Sequence, residues 1–121
     1  MPMTHPVQLL LAHGSRDPEW RQPFEWIAAD LQAAHSQRRI VLCYLELWSP
    51  SLPEAIQAEF ARGSRNFQIT PLFWSRGRHL RDDVPRILQE LATDLPDCKI
   101  TLDPPVGESE IVRSAVLRLL A

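Results

Sequence analysis

Four short apolar runs, at 7–12, 40–45, 67–73 and 99–102, alternate with four stretches in which apolar residues recur at helical spacing. This alternation is the signature of parallel βαβ construction, because two parallel strands in one sheet are joined by a crossover that a helix fills. Between the first two runs Phe24, Ile27, Ala28 and Leu31 share a helical face, with Pro23 in the first turn, so that 18–22 forms a separate turn. The second helix opens at Ser51-Leu52-Pro53-Glu54, where Ser51 caps and Glu54 reaches back to complete a capping box, and Gly63 stops it. In the third, Val84, Ile87, Leu88, Leu91 and Leu95 form a stripe ended by Pro96, and Asp82 and Asp83 near its start suit the helix dipole. In the fourth, Ile111, Val112, Ala115, Val116 and Leu119 lie on one face. Right-handed crossovers then predict an α/β fold, a three-layer α/β/α sandwich around a four-stranded parallel sheet, with residues 1–121 as a single domain.

In such a fold every strand-to-helix loop shares one edge of the sheet, where open α/β sheets bind their ligands. The first strand delivers a histidine there, in Ala12-His13-Gly14-Ser15-Arg16-Asp17-Pro18. The third empties into Trp74-Ser75-Arg76-Gly77-Arg78-His79, Glu46 stands just beyond the second, and Pro104-Pro105-Val106-Gly107-Glu108 follows the fourth. One histidine after a strand is more often structural, but a second at the same edge reverses that reading. Two imidazoles and a carboxylate suit borderline divalent ions such as iron, cobalt and nickel and leave coordination positions open for exchange. Glu46 breaks the apolar sequence Tyr44-Leu45-Glu46-Leu47-Trp48. It reads either as a carboxylate paired with an arginine or as a base or third ligand whose proton affinity its apolar neighbours raise. Trp48 and Trp74 follow the second and third strands, to cover an aromatic ligand or to pack in a core or interface. His5 and His35 fall towards the opposite edge and read as surface residues.

A formal net charge of −2 excludes nucleic-acid binding by bulk electrostatics. The local charge differs: of 13 basic residues only Lys99 is a lysine, and Arg16, Arg76, Arg78 and Arg81 lie beside the two histidine loops. They read as a basic rim whose planar forks match carboxylate or phosphate, with solvated loop charge as the competing view. Cys43 and Cys98, in separate strand segments and without metal-site spacing, read as buried thiols. The N-terminal residues carry no signal-peptide pattern and no apolar run approaches a membrane span, so a cytoplasmic protein is expected.

The ordered combination of Leu11-Ala12-His13-Gly14-Ser15-Arg16-Asp17-Pro18, Tyr44-Leu45-Glu46 with Pro50-Ser51-Leu52-Pro53-Glu54, and Pro71-Leu72-Phe73 leading to Gly77-Arg78-His79-Leu80-Arg81-Asp82-Asp83-Val84-Pro85 resembles the short sirohydrochlorin chelatases. These are the CbiX-type members of the class II chelatase superfamily, and Pro104-Pro105-Val106-Gly107 is similar to their closing loop. The resemblance implies a chelatase-like half-domain that pairs as a homodimer and inserts a divalent metal into sirohydrochlorin, a lyase-type step of cobalamin or siroheme biosynthesis. It implies His13 and His79 as the catalytic metal ligands. Glu46 then accepts pyrrole protons or assists coordination, and Ser15, Arg16, Arg76, Gly77, Arg78 and Arg81 meet the carboxylate-rich macrocycle. The metal, Co2+, Fe2+ or Ni2+, is itself a substrate, and no organic cofactor, nucleic acid or membrane is implied. Arg78 stands where a small residue is more usual, and Trp74 is bulkier than usual beside its loop. Two other functions compete. A non-catalytic metal or tetrapyrrole carrier needs the same residue types, whereas a histidine-nucleophile phosphatase calls for an arginine where Ala12 stands. A serine hydrolase is weaker still, since no Gly-x-Ser-x-Gly elbow occurs.

Overall fold

The computed structural model describes residues 5–121; the N-terminal reading above falls partly on residues 1–4, outside the described residues. Strands β1 (Val7–Ala12), β2 (Ile40–Tyr44), β3 (Asn66–Pro71) and β4 (Lys99–Leu102) form one parallel sheet in the order β2-β1-β3-β4. Leu10 stands opposite Leu42 on one side and Thr70 on the other. The second and third strands end sooner than expected, at Tyr44 and Pro71. Backbone pairing continues briefly past them, through Leu45 N–H to Ala12 O at 2.9 Å and Leu72 N–H to Leu11 O at 2.8 Å, before both chains turn into loops. Helices α1 (Gln22–Ala34), α2 (Leu52–Ala61), α3 (Val84–Asp94) and α4 (Glu110–Leu120) follow the strands in turn. A 3-10 turn at Pro18–Arg21 precedes α1, as the position of Pro23 requires, and Asp17 caps it by accepting from Glu19 N–H.

Strand order and right-handed crossovers put α1 on one face of the sheet and α2 and α3 on the other. The pleat then sorts the side chains. Val7, Leu9, Leu11, Cys43, Phe67 and Ile69 meet Leu52, Ala55, Ile56, Val84 and Leu91 in one buried cluster. Each fully buried aliphatic side chain here contributes roughly 1.5–3 kcal/mol. Alternate strand residues face the other way: Leu10, Ala12 and Tyr44 are buried there on β1 and β2, while β3 presents polar side chains. Gln8 donates to Thr70 Oγ1 at 3.1 Å, and Thr70 and Gln68 both donate to one Asp103 carboxylate oxygen at 2.8 Å.

The polar part of this second face, around β3, corrects one expectation. No residue of α1 or α4 is buried, and Ile111 and Leu119, expected on the packed side of α4, are 82% and 81% exposed. Helical periodicity marks an apolar side without saying what that side meets, and strand residues such as Gln68 and Thr70 offer little apolar surface against which to bury it. Cys43 is fully buried, which pushes its thiol up to about 12, but Cys98 sits one residue before β4 and is only half-buried. His5 and His35 are exposed, as expected. Glu59, which sequence reading passed over, is buried and gripped by Arg39 through two 3.0 Å hydrogen bonds; that contact holds the guanidinium more firmly charged than usual. No helix among the described residues is long and apolar enough to cross a membrane.

The capping box forms as read. Ser51 Oγ accepts from Glu54 N–H at 3.2 Å, and Glu54 accepts from Ser51 N–H at 2.7 Å. Ser51→Ala should therefore cost about 1 kcal/mol in a denaturant titration, since a lost N-cap leaves helix N–H groups unpaired. An unchanged midpoint would mean that packing of α2 alone holds its first turn.

Candidate metal centre

The chain leaves β1 for β2 on one side and later returns past β1 to β3, so the loops after β1 and β3 diverge to opposite faces. Such a switch point opens a crevice at the carboxyl ends of the strands. His13 is the first residue after β1, and the backbone ladder reaches it: Glu46 N–H donates to His13 O at 3.1 Å. Sheet pairing, rather than any side-chain contact, thus sets the distance between His13 and Glu46. Gly14 permits it. This residue has φ +98°, and a Cβ there would lie 2.0 Å from the Glu46 carbonyl oxygen. Just past Glu46 the chain makes a γ-turn, with Trp48 N–H donating to Glu46 O at 2.8 Å and Leu47 at φ 70°.

His79 arrives by another route. It begins a π-helical turn, His79–Asp83, closed by Val84 N–H donating to His79 O and anchored in the core by buried Leu80. π turns are rare and recur at functional sites.

These elements bring three sequence-distant side chains together. His13 Nε2 lies 3.3 Å from Glu46 Oε1, and the His13 and His79 ring centroids are 4.7 Å apart and nearly perpendicular. One ligand atom from each of His13, Glu46 and His79 lies within 4.8 Å of the others. An ion with bonds of about 2.1 Å keeps its ligands no more than roughly 4.2 Å apart, so small side-chain rotations suffice to close the group on a metal. The donor set matches the two imidazoles and one carboxylate expected. The surroundings of Glu46 do not: its partner is His13 rather than an arginine, and its side chain is 50% exposed because Leu47 turns outward to solvent. His79 Nδ1 meets Asp83 Oδ2 at 2.8 Å. That hydrogen bond, with a smaller contribution from Arg86, holds the Asp83 carboxyl below its ordinary range.

Beside these three side chains opens a cavity of about 580 Å³. Gly14 and Ser15 line it from the first loop, Trp20 and Phe24 from the turn and start of α1, Trp48 from the second loop, and residues 72–77 from the third. Its character is aromatic. Arg21 braces one wall, its guanidinium 5.0 Å from the Trp48 ring centroid, and Phe73 lies 5.5 Å from the His13 ring. The closing loop supports the opposite side: Gly107 N–H donates to Phe73 O at 2.9 Å, and a Cβ on Gly107 would lie 2.0 Å from Trp74 O.

The basic rim is narrower than the sequence suggests. Of the four arginines only Arg76 lines the cavity, and it is engaged with Glu108 at 3.2 Å. Arg16, Arg78 and Arg81 are exposed and lie outside the lining, with Arg81 3.6 Å from Asp82. The turn begun by Gly77, at φ 58°, and the π turn after it wind successive side chains away from one another, so adjacency in sequence does not become a shared wall. Ser15 and Gly77 do line the cavity. Trp20, Phe24, Phe73 and Asp83 were not singled out for the site from sequence. Spacing held the available signal: Trp20 and Phe24, like His79 and Asp83, are four residues apart at a helix start.

Comparison with known proteins returns the same architecture. The CbiX family model matches residues 7–121. A sirohydrochlorin cobaltochelatase of Saccharolobus solfataricus is 28% identical over 116 residues, covering 91% of this chain and 89% of the relative. One from Methanothermobacter thermautotrophicus is 34% identical over 80 residues, 66% of this chain and 55% of the relative. The crystal structure of a CbiX protein from Marinobacter aquaeolei VT8 superposes with TM-score 0.85 at 30% identity, over 97% of this chain and 93% of that one. The sirohydrochlorin chelatase SirB of Bacillus subtilis subspecies spizizenii, solved with cobalt, has TM-score 0.84 and 24% identity, a likeness of fold. It covers 98% of this chain but 50% of SirB, so this chain spans about half of that longer protein.

Proposed function

Because the chain belongs to the CbiX family, we propose that it is a metal-inserting enzyme acting on sirohydrochlorin, a lyase-class chelatase that works in the cytoplasm as a single-domain protomer. The observation that carries this reading is the convergence of His13, Glu46 and His79 within 4.8 Å beside an aromatic cavity. Insertion exchanges two pyrrole N–H protons for one divalent ion, so the site needs ligands that release the metal and a group that takes a proton. His13 and His79 hold the incoming ion. Three protein ligands leave positions open for the macrocycle nitrogens, and their half-exposure keeps metal binding exchangeable. Glu46 accepts the two pyrrole protons in turn and passes each to solvent through its exposed side. Aromatic walls from Trp20, Trp48 and Trp74 flank the macrocycle, while Arg76 meets a peripheral carboxylate by exchanging it for Glu108. Arg16, Arg78 and Arg81, outside the lining, act at longer range on the acidic substrate. Cobalt, iron and nickel all suit this donor set. The protein works as a homodimer, a reading supported by its half-length match to SirB and by the unburied apolar side of α4.

Anaerobic insertion assays with each metal in turn, followed by absorption spectroscopy, test the proposal. Several equivalents of metallated product per protomer are expected; formation that stops at one equivalent identifies a carrier. Within this scheme Glu46→Gln keeps the side-chain shape and removes the base. Turnover should fall roughly 100-fold, in the range for loss of a general base, with little change in tetrapyrrole affinity. An unaltered rate would leave Glu46 as a structural partner of His13.

A further inference from the structure

The two histidines of the centre are held in different ways. His13 Nε2 contacts Glu46, itself a member of the cluster, so that contact must open or rearrange when an ion enters. His79 contacts Asp83, which lies outside the cluster, through the ring nitrogen Nδ1 at 2.8 Å. The Asp83 carboxylate only accepts hydrogen bonds, so this geometry places the proton of a neutral His79 on Nδ1 and leaves the Nε2 lone pair free. Asp83 is itself fixed. It ends the π turn that His79 begins, four residues away on the same side, and its other oxygen lies 3.5 Å from Arg86 on α3.

We infer that Asp83 is a positioning residue: it fixes the tautomer and ring orientation of His79 and makes this histidine the anchoring ligand, while His13 and Glu46 form the pair that opens to admit and release the ion. The inference rests on the proposed metal-inserting role of the site, but its first consequence is a property of the metal-free protein. An outer carboxylate on a ligating imidazole sharpens the direction of the lone pair and raises its basicity, and removing such a partner lowers metal affinity about 10–100-fold. Metal should therefore bind first to a preset His79, and the looser His13–Glu46 side should govern exchange.

The test uses the intact protein with Asp83→Ala and Asp83→Asn. Nitrogen-15 spectra of the histidine rings in metal-free protein at neutral pH should show His79 with its proton on Nδ1 in the parent. Asp83→Ala should move the population towards Nε2–H, whereas Asp83→Asn, whose amide oxygen still accepts, should largely restore the parental signal. Titration with Co2+ alone, read by its visible absorption, should show weakening of about 10–100-fold in Asp83→Ala and a smaller loss in Asp83→Asn. Where insertion is measured, the KM for metal should rise more than kcat falls. A His79 ring that keeps its Nδ1 proton in Asp83→Ala, with cobalt affinity unchanged, overturns the inference and reduces Asp83 to a surface ion-pair partner of Arg86. If the parent fails to turn over sirohydrochlorin, the enzymatic reading falls, while the ring spectra and cobalt titration still decide the role of Asp83.

Discussion

Replacing His13 or His79 by alanine should lower the insertion rate by more than about 100-fold while the far-ultraviolet circular dichroism and melting temperature stay close to the parent values. The bound on the rate follows from the weaker case: loss of a partner outside the coordination shell already costs about 10–100-fold in affinity or activity, and in the proposed site these residues supply donor atoms directly. The expected stability follows from burial. His13 stands beyond β1 with its side chain 48% exposed, and His79 lies at the start of the π turn with 40% exposed, so neither fills the core that α2 and α3 make with the sheet. The two variants should nevertheless differ. Removing His79 takes away the anchor and should abolish detectable Co2+ binding, while removing His13 should leave a weaker site formed by His79 and Glu46. Full turnover by either variant would remove that residue from the centre.

Gly14→Ala should be as damaging to activity as the loss of a ligand, although it deletes none. At φ +98° an alanine is strained by about 1–3 kcal/mol, and its Cβ would meet the Glu46 carbonyl oxygen at 2.0 Å. The clash is with backbone that belongs to the pairing between the first two loops, so rotating a side chain cannot relieve it. Either the His13 loop or the Glu46 loop must move by about 1 Å, and misplacement on that scale costs on the order of 10²-fold in rate. The melting temperature should fall by roughly 5–10 °C for a domain of this size. A variant that melts like the parent and retains its rate would show that the two loops are free to separate, contrary to the ladder that joins them. The same measurements on Gly63→Ala provide a control: that residue also has positive φ, at +106°, but nothing lies within 4 Å of its would-be Cβ, so stability alone should respond.

How far the sequence discloses this molecule depends on the range of the interaction that carries each feature. The strands, the capping box of α2 and the stripe of α3 are encoded within a dozen residues, and apart from the earlier ends of β2 and β3 they stand where periodicity and capping chemistry place them. The convergence of His13, Glu46 and His79 also follows, because right-handed crossovers leave parallel loops only one edge to share. Other features depend on side-chain direction, which spacing does not convey. Arg78 and Arg81 are neighbours of His79 in sequence, yet both lie outside the cavity lining, while Trp20 and Phe24 reach its wall from the 3-10 turn and the start of α1. The π turn itself has no periodic signature, and without it Asp83 reads merely as an acidic residue suited to a helix dipole.

Helix α4 carries a consequence for how this protein holds its shape in time. The helix has only 11 residues, none of them buried. In water a helix of that length is marginal on its own, because the cost of nucleation is recovered only over longer stretches or through packing. Its backbone amides should accordingly open to solvent by local fraying at a free energy far below that of the sheet, whose two inner strands are each paired on both sides. The persistence of α4 is then a matter of company: a surface that covers Ile111 and Leu119 would convert a fraying segment into a slow-exchanging one without altering any bond within the chain.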